Sequence, residues 1–366
     1  MSVAEQQESK EKLRTGFTTG TASTASSKAA ILAIINQKKI EAVDVTLPKG
    51  DSIPIKIHSC EFSKSKAKCS VIKDGGDDPD VTHGAEIIVE LSLTPNVNQI
   101  EIDGGEGIGI VTKPGLGLEL NKPAINPTPK KMIIENVNEV ARDVLQKNGI
   151  RIVISVPKGQ ELALKTDNPR LGIVGGISIL GTSGIVIPYS TASFAAAIRQ
   201  SLDVSTAMGN DTVVLSTGGR SEEFAKNIVE LPEHCFVQMG DFSGYTIQQC
   251  AKKKIKKAYV VGFIGKLAKM AAGVKQTHVK GSKVDMNLLA EIAQSCNADS
   301  KTVEQIRKAN TARHVQEIVM ENKVDGFFDK VCSLVYKHMR AHSEQQVPID
   351  VILFDFDGKV LGRHPV

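Results

Sequence analysis

Between residues 151 and 272 the chain alternates short β-branched runs with helix-forming stretches, and no other feature of its 366 residues narrows the fold so far. The strand-like runs are 151–156, 212–215, 235–238 and 258–262. The helix-like stretches are 190–202, 221–229, 246–254 and 266–272. Strands this apolar have no wet face, so they belong in a parallel sheet with helices on both sides, a Rossmann-like three-layer α/β/α domain with a mostly parallel sheet. Such sheets bind ligands outside the carboxyl ends of their strands. Gly-rich or polar turns stand at 181–184, 216–220, 240–244 and 262–265. One such turn needs no ligand, since glycine also makes tight connections; four together read as a ligand crevice.

The first half has a different texture. A Gly/Thr/Ser-rich stretch at 15–24 runs into an Ala-rich helix at 25–35, with Thr19 or Thr21 as its cap. Short strands follow at 42–47, 53–58, 67–72 and 86–93. Pro114, Pro123, Pro127 and Pro129 make 113–129 an extended loop, and 130–148 reads as an amphipathic helix. The expected organisation is a solvated, flexible tail at 1–12, an α+β domain at 13–148, and the α/β domain at 149–366, which closes with a helix and a strand.

Composition excludes several classes. The longest apolar runs are far shorter than the ~18 residues of a spanning helix, and the first residues lack an apolar signal core. A net charge of +4 is too small to argue for nucleic acid. With 11 Phe, 4 Tyr and no Trp, a base-stacking platform is poorly supplied. Six scattered cysteines without a CxxC motif make no disulfide framework, so the cytoplasm is the expected location.

Four glycine-rich or acidic segments carry the chemistry. Asp103-Gly-Gly-Glu-Gly-Ile-Gly109 has the shape of a loop that lets backbone approach a ligand, but no helix follows it, so it is a weak dinucleotide signature. Lys73-Asp-Gly-Gly-Asp-Asp-Pro-Asp-Val-Thr-His-Gly84 gathers four carboxylates and a histidine, of which Asp77, Asp78, Asp80 and His83 read as ligands of a hard metal, as acid/base groups or as turn-capping side chains. The segment 172–184 reads as a buried strand ending in a phosphate- or adenosine-sized loop. Gly262-Phe-Ile-Gly-Lys266 sits at a strand-to-helix turn but lacks P-loop spacing. His338 and His342, four apart without a third ligand, read as a solvated helix face, and Asp355-Phe-Asp-Gly358 as a final strand and turn.

Seven segments in one order make the chain similar to the cobalt-precorrin-5B C1-methyltransferase (CbiD) family over about residues 13–362. They are Leu13-Arg-Thr-Gly-Phe-Thr-Thr-Gly20, the Lys73 to Gly84 motif, Gly104-Gly-Glu-Gly-Ile-Gly109 and Ala124-Ile-Asn-Pro-Thr-Pro129. The others are Asn168-Pro-Arg-Leu-Gly-Ile173, Gly175-Gly-Ile-Ser-Ile-Leu-Gly-Thr-Ser-Gly184, and Gly265-Lys-Leu-Ala-Lys269 with Thr277-His278. The resemblance implies methyl transfer from S-adenosylmethionine to C1 of cobalt-precorrin-5B, giving cobalt-precorrin-6A, in the anaerobic route to cobalamin. Cobalt then belongs to the substrate, and the only partner implied is the small corrin, with no nucleic acid and no membrane; a homo-oligomer is left open.

On that basis the donor is expected at Gly175, Gly176, Gly181, Thr182, Ser183, Gly184, Thr217 and Gly218, at strand ends of the second domain. The macrocycle and its carboxylates are expected at Arg14, Thr18, Thr19, Lys73, Asp77, Asp78, Gly105, Glu106, Gly107, Lys113, Arg170, Lys266 and His278. Asp80 or His83 would accept or relay the proton released on ring rearrangement. Two rival readings are a nicotinamide-dependent reductase of a corrin precursor and a non-enzymatic corrinoid carrier. The first lacks the acidic residue expected about twenty positions after a glycine turn, and the second would bind the macrocycle but no donor.

Overall fold

A short strand, β1 (Gly16–Phe17), leads into α1 (Thr19–Asn36), around which the first half of the chain is built. The computed structural model describes residues 13–278 and 281–365, so the expected tail at 1–12 lies outside the described residues. Of the 18 residues of α1, 15 are buried, which leaves this helix almost no wet face. Its sequence allows that because the hydroxyls donate back to the helix's own carbonyls: Ser23 to Thr19, Thr24 to Gly20 and Ser27 to Ser23, at 2.7–2.8 Å. The N-cap is Thr18, whose hydroxyl accepts from the Thr21 N–H. Thr19 and Thr21, the expected caps, are instead spent on a distant segment described below.

The elements that surround α1 are the hairpin β2 (Ala42–Thr46) and β3 (Ser52–Lys56), then β4 (Ser59–Phe62), β5 (Lys66–Ile72), β6 (Glu86–Thr94), β7 (Ile100–Gly104), β8 (Ile110–Val111), α2 (Pro127–Leu145) and β9 (Gly149–Ser155). One sheet has the order β4-β5-β6-β9-β7, antiparallel except where β9 runs parallel to β7. Its inward residues Cys69, Val89, Ile152 and Ile154 share one core with Ala25, Ala29 and Ile133. α2 begins at Pro127, not after the prolines: proline lacks only an N–H that a first turn leaves unused, so Pro127 and Pro129 start the helix. Buried Asn136 ties α2 to the backbone of Thr46, accepting its N–H and donating to its carbonyl, both at 2.9 Å.

The chain divides between Ser190 and Thr191, not near 148. β9 was expected to open the second domain, but its β-branched run completes the first sheet between β6 and β7. The stretch after it also stays in the first unit: α3 (Gly159–Ala163), α4 (Asn168–Leu171), β10 (Ile173–Val174) and β11 (Ile185–Val186). Residues 172–184 form no sheet strand beyond β10, which pairs with β8; isolated bridges join Ile177 to Ile108 and Ile179 to Ile125.

The second unit runs α5 (Thr191–Ala207), β12 (Thr212–Ser216), α6 (Gly219–Lys226), β13 (Phe236–Gln238), α7 (Ser243–Lys252), β14 (Lys257–Phe263), α8 (Ile264–Ala271), α9 (Met286–Ser295), α10 (Ser300–Arg307), α11 (Ala312–Glu321), α12 (Phe327–His342), β15 (Ile349–Phe354) and β16 (Val360–His364). The sheet order is β13-β12-β14-β15-β16, parallel except for β16. Side chains alternate between two cores: Val213, Leu215 and Val260 pack with α5 and α7 to α12, while Val214, Val261 and Ile352 pack with Ala225 of α6. The mostly parallel sheet read from the sequence is therefore present, with helices on both faces. From β12 the chain passes through α6 to β13, then through α7 back past β12 to β14, so the topology reverses between β12 and β14.

Several glycines permit backbone segments to touch. A Cβ on Gly176 would lie 2.2 Å from the Gly107 carbonyl oxygen, whereas one on Gly117 would meet nothing. Gly176→Ala is expected to cost about 3 kcal/mol or more, because backbone must move. Gly117→Ala should cost about 1 kcal/mol, from its positive φ alone. Denaturant unfolding of the two variants measures the difference; equal costs would contradict the backbone contact.

Candidate functional site

In the first unit three segments far apart in sequence meet at the start of α1. The residue 14–17 strand lies between the acidic loop and β11. On one side Phe17 N–H donates to the Asp74 carbonyl, Asp77 N–H to the Arg14 carbonyl, and Arg14 N–H to the Asp77 carboxylate at 2.5 Å. On the other, Gly16 and Phe17 pair with Val186 and Ile185. Gly16 and Gly76 are required here, since a Cβ on either would lie about 2.2–2.3 Å from the other segment's carbonyl oxygen. The Arg14 guanidinium pairs with Asp74, which holds that carboxyl below its ordinary value. Asp78 accepts from the Tyr189 N–H at 2.9 Å.

The segment 178–184 is stitched to α1. Leu180 N–H donates to the Thr19 hydroxyl at 2.9 Å, which itself donates to the Ser178 and Leu180 carbonyls; the Thr21 hydroxyl donates to the Gly184 carbonyl at 2.7 Å. Gly181, at φ +135°, would drive a Cβ into Thr18. Thr182 is exposed, and the Ser183 hydroxyl donates to the Ile185 carbonyl.

Where these segments meet lies a cavity of about 170 Å³, lined by Thr18, Thr19, Lys73, Asp80, Thr82, Thr166, Asn168, Ile177, Ser178, Leu180 and Val186. Its charged wall is one ion pair. Lys73 Nζ donates to Asp80 Oδ2 at 2.5 Å, with side-chain exposures of 1% and 21%. Asp80 Oδ1 accepts from the Thr82 N–H and hydroxyl at 2.7 and 2.6 Å. Burial alone would raise the Asp80 carboxyl, but the Lys73 ammonium and the Thr82 donors outweigh it and hold the group below its ordinary value. The hydroxyl hydrogens around the cavity are already committed: Thr82 to Asp80, Thr166 to the Ala163 carbonyl, Ser178 to Asn168 Oδ1, and Thr19 as above.

This geometry revises the expected proton chemistry. An ionised Asp80 held by three donors is a poor proton acceptor and serves as the anchor of Lys73. His83 Nδ1 accepts the Gly75 N–H at 3.0 Å, so the lone pair on that nitrogen is taken.

The loop 104–109 approaches backbone, as glycine allows, but the backbone is the protein's own. Gly105 N–H bonds the Ile154 carbonyl, the Glu106 carbonyl takes the Val156 N–H, and the Gly107 carbonyl takes the Ile177 N–H. Lys113 Nζ donates to the Arg170 carbonyl at 3.0 Å. A larger depression of about 330 Å³ beside β7 is lined by mixed charges including Asp103, Glu119, Lys122 and Arg151, and it gathers none of the expected site residues.

The expected donor residues do not form one group. Gly175, Gly176, Gly181, Thr182, Ser183 and Gly184 belong to the first unit, and Thr217 and Gly218 to the second, because 172–177 pairs with 107–112 and 178–184 is held by α1, not by the parallel sheet. In the second unit Thr217 follows β12 and Lys266 lies in the first turn of α8 after β14, at the topological reversal. Lys266 Nζ donates to the Thr217 carbonyl at 2.8 Å and pairs with Asp241 at 3.2 Å; the Thr277 hydroxyl also donates to Asp241, at 2.9 Å. Open space surrounds the Cβ positions of Gly218 and Gly265. His278, exposed, follows Thr277, and its carbonyl accepts the Gly281 and Ser282 N–H groups.

The sequence reading passed over Asp74, Thr82, Thr166, Asn168, Ser178 and Asp241. All but Thr166 lay inside segments singled out for other residues, and Thr166 follows helix-like residues that carry no motif. His338 and His342 are half-buried on α12 and not on a solvated face; burial lowers both below the ordinary histidine value. Asp355-Phe-Asp-Gly358 is the turn between β15 and β16, with Asp355 Oδ1 accepting from the Asp357 and Lys359 N–H groups.

Asp80→Asn is expected to destabilise the fold by about 2–3 kcal/mol at neutral pH, below the ~3–5 of a fully dry pair because Asp80 keeps some exposure. A depressed carboxyl contributes stability above its unfolded value, near 4, and loses it as pH falls through the folded value. Wild-type stability should therefore fall more steeply than that of the variant below about pH 4. Urea titrations across that range test both statements; parallel curves would contradict the ion pair's role.

Two family models match the chain: CbiD over residues 6–188, and the CbiD C-terminal domain over residues 276–365. Proteins named cobalt-precorrin-5B C(1)-methyltransferase are similar along their length. That of Priestia megaterium is 44% identical over 353 residues, covering 96% of each chain. That of Leptospira interrogans (strain Fiocruz L1-130) is 45% identical over 359 residues, again 96% of each. That of Rubrobacter xylanophilus is 45% identical over 94% of this chain and 89% of its own. A crystal structure of a cobalamin biosynthesis protein (cbiD) from Archaeoglobus fulgidus is 27% identical over 85% of both chains, with a TM-score of 0.38. On the family match and on these full-length identities, the chain belongs to the CbiD family.

Proposed function

We propose that this protein is a C-methyltransferase that methylates C1 of cobalt-precorrin-5B with S-adenosylmethionine, giving cobalt-precorrin-6A in anaerobic cobalamin biosynthesis. The observation that carries this reading is the 44% identity, over 96% of each chain, with a relative of that name. The site chemistry supports it. A corrin precursor is a large ring with carboxylate arms, and the first unit offers a buried ammonium in a small cavity beside exposed Leu180, with Ile187 and Tyr189 exposed just after β11. Methyl transfer to carbon demands alignment more than a strong base, which accords with an Asp80 carboxylate and a His83 Nδ1 already engaged by hydrogen-bond donors. His83 then serves as a hydrogen-bond donor to the acceptor, and Lys73 as its cationic anchor.

The second unit supports a donor site where β12 and β14 end, because ligands of open parallel sheets bind where the topology reverses. Gly218 and Gly265 leave a space that side chains would fill, and Thr217, Asp241 and Lys266 ring it with polar groups. When bound, the donor supplies an electrophilic methyl on a sulfonium. Of the residues here, the glycines admit it, and the Asp241 carboxylate, shared with Lys266 and Thr277, fixes the polar groups beside it. The segment 175–184 is reassigned from the donor to the floor of the acceptor cavity, where Ile177, Ser178 and Leu180 lie. This open cradle also favours a transferase over a corrinoid carrier, which needs no donor, and over a reductase, whose cofactor would want an acidic ribose partner.

Incubation with S-adenosylmethionine and freshly generated cobalt-precorrin-5B under anaerobic conditions should yield a product heavier by one methyl. No gain with intact substrate would refute the reading. Gly218 has an extended backbone, φ 166°, and an unobstructed Cβ, so Gly218→Val should fold normally while occupying the cradle. Its affinity for S-adenosylhomocysteine should drop about tenfold or more, the loss of a well-fitted contact, by calorimetry. Unchanged affinity would move the donor elsewhere.

A further inference from the structure

The cavity at the start of α1 has an unbalanced set of hydrogen-bonding groups. Lys73 Nζ has three N–H donors, and among the described residues one acceptor, Asp80 Oδ2, at 2.5 Å. With its side chain 1% exposed, water reaches it only through the cavity it lines. Asn168, also in the wall, donates one amide N–H to the Gly176 carbonyl at 3.2 Å and has a second to give. The surrounding hydroxyl hydrogens are committed elsewhere, and the Asp80 carboxylate already accepts three hydrogen bonds. What remains is a surplus of donors, two of them on a cation, facing a wall that is otherwise apolar at Ile177, Leu180 and Val186. A buried ammonium with one partner is costly unless a second acceptor arrives.

We propose that this cavity seats a single carboxylate on a short methylene stem, one acidic side arm of the acceptor macrocycle, with Lys73 and Asn168 as its donors. The carboxylate would take the spare N–H groups, and the stem would lie on Ile177 and Leu180. The same chemistry could come from the methionyl carboxylate of the methyl donor. That carboxylate carries an ammonium on the adjacent carbon, which the Lys73 charge would repel and for which the cavity keeps no unshared carboxylate. The arm of the acceptor is thus the better match. The identity of the arm's parent molecule rests on the function proposed above; the carboxylate itself follows from the donors.

The test compares the wild type with Lys73→Met/Asp80→Asn, which removes both charges together and leaves neither buried alone; cooperative thermal unfolding verifies that it folds. Binding of cobalt-precorrin-5B is read from its visible absorbance, and binding of S-adenosylhomocysteine from calorimetry. Macrocycle affinity should fall about ten- to hundredfold, the loss of one charge-assisted contact, with S-adenosylhomocysteine affinity unchanged. Equal macrocycle affinity in the two proteins would overturn the proposal. A loss confined to S-adenosylhomocysteine would overturn the assignment to the acceptor and give the cavity to the donor. Because both readouts are binding, a wild type that binds the macrocycle without methylating it would refute the proposed activity while this comparison still decided the cavity.

Discussion

The first unit depends on a helix that can be buried on every side. α1 achieves this with Ala, Ser and Thr, whose small volume lets α2, the hairpin β2–β3 and the larger sheet all approach it closely. The polar cost of burying so many hydroxyls is offset by bonding Ser23, Thr24 and Ser27 to carbonyls one turn earlier and Ser26 to the Ile87 carbonyl. Its first turn, which cannot satisfy its own backbone, is closed by residues some 160 positions away: Leu180 and Gly184 supply the carbonyls that Gly20, Thr19 and Thr21 require. Three remote segments are thereby held at one point, and the cavity is the space left among them.

That cavity shows how the molecule uses charge. Lys73, buried, has the Asp80 carboxylate as its counter-charge, and Asp80 in turn is held by Thr82. Two N–H groups of Lys73 keep no acceptor among the described residues. The glycines divide along the same line. Gly16, Gly76, Gly107 and Gly176 stand where two backbones touch, and a Cβ would collide with a carbonyl. Gly218 and Gly265 face open space instead. Glycine-rich segments that look alike in sequence therefore do two jobs: some let backbones meet, and others, Gly175, Gly218 and Gly265 among them, leave open space.

Much was legible in the chain because it rests on local rules. Three strands and four helices of the second unit follow from hydrophobic runs and their spacing, and the family follows from seven ordered segments. Errors arose where a local pattern had two tertiary uses. Residues 149–155 are as suited to a parallel sheet as to the strand between β6 and β7, and only pairing decides between them. Pro127 and Pro129 look like loop residues because the first turn of a helix and an extended loop tolerate proline equally.

The site divides in the same way. The sequence by itself determined which residue types are available: a lysine and carboxylates near 73–83, hydroxyls at 18–24, and glycines at the ends of apolar runs. Which of these meet was decided by the tertiary structure. The commitment of Asp77 to Arg14 and the capture of 178–184 by α1, which together bring the Lys73–Asp80 pair of one loop to a cavity, are long-range contacts. No periodicity encodes them, because each depends on how buried donors and acceptors find one another after the chain has closed.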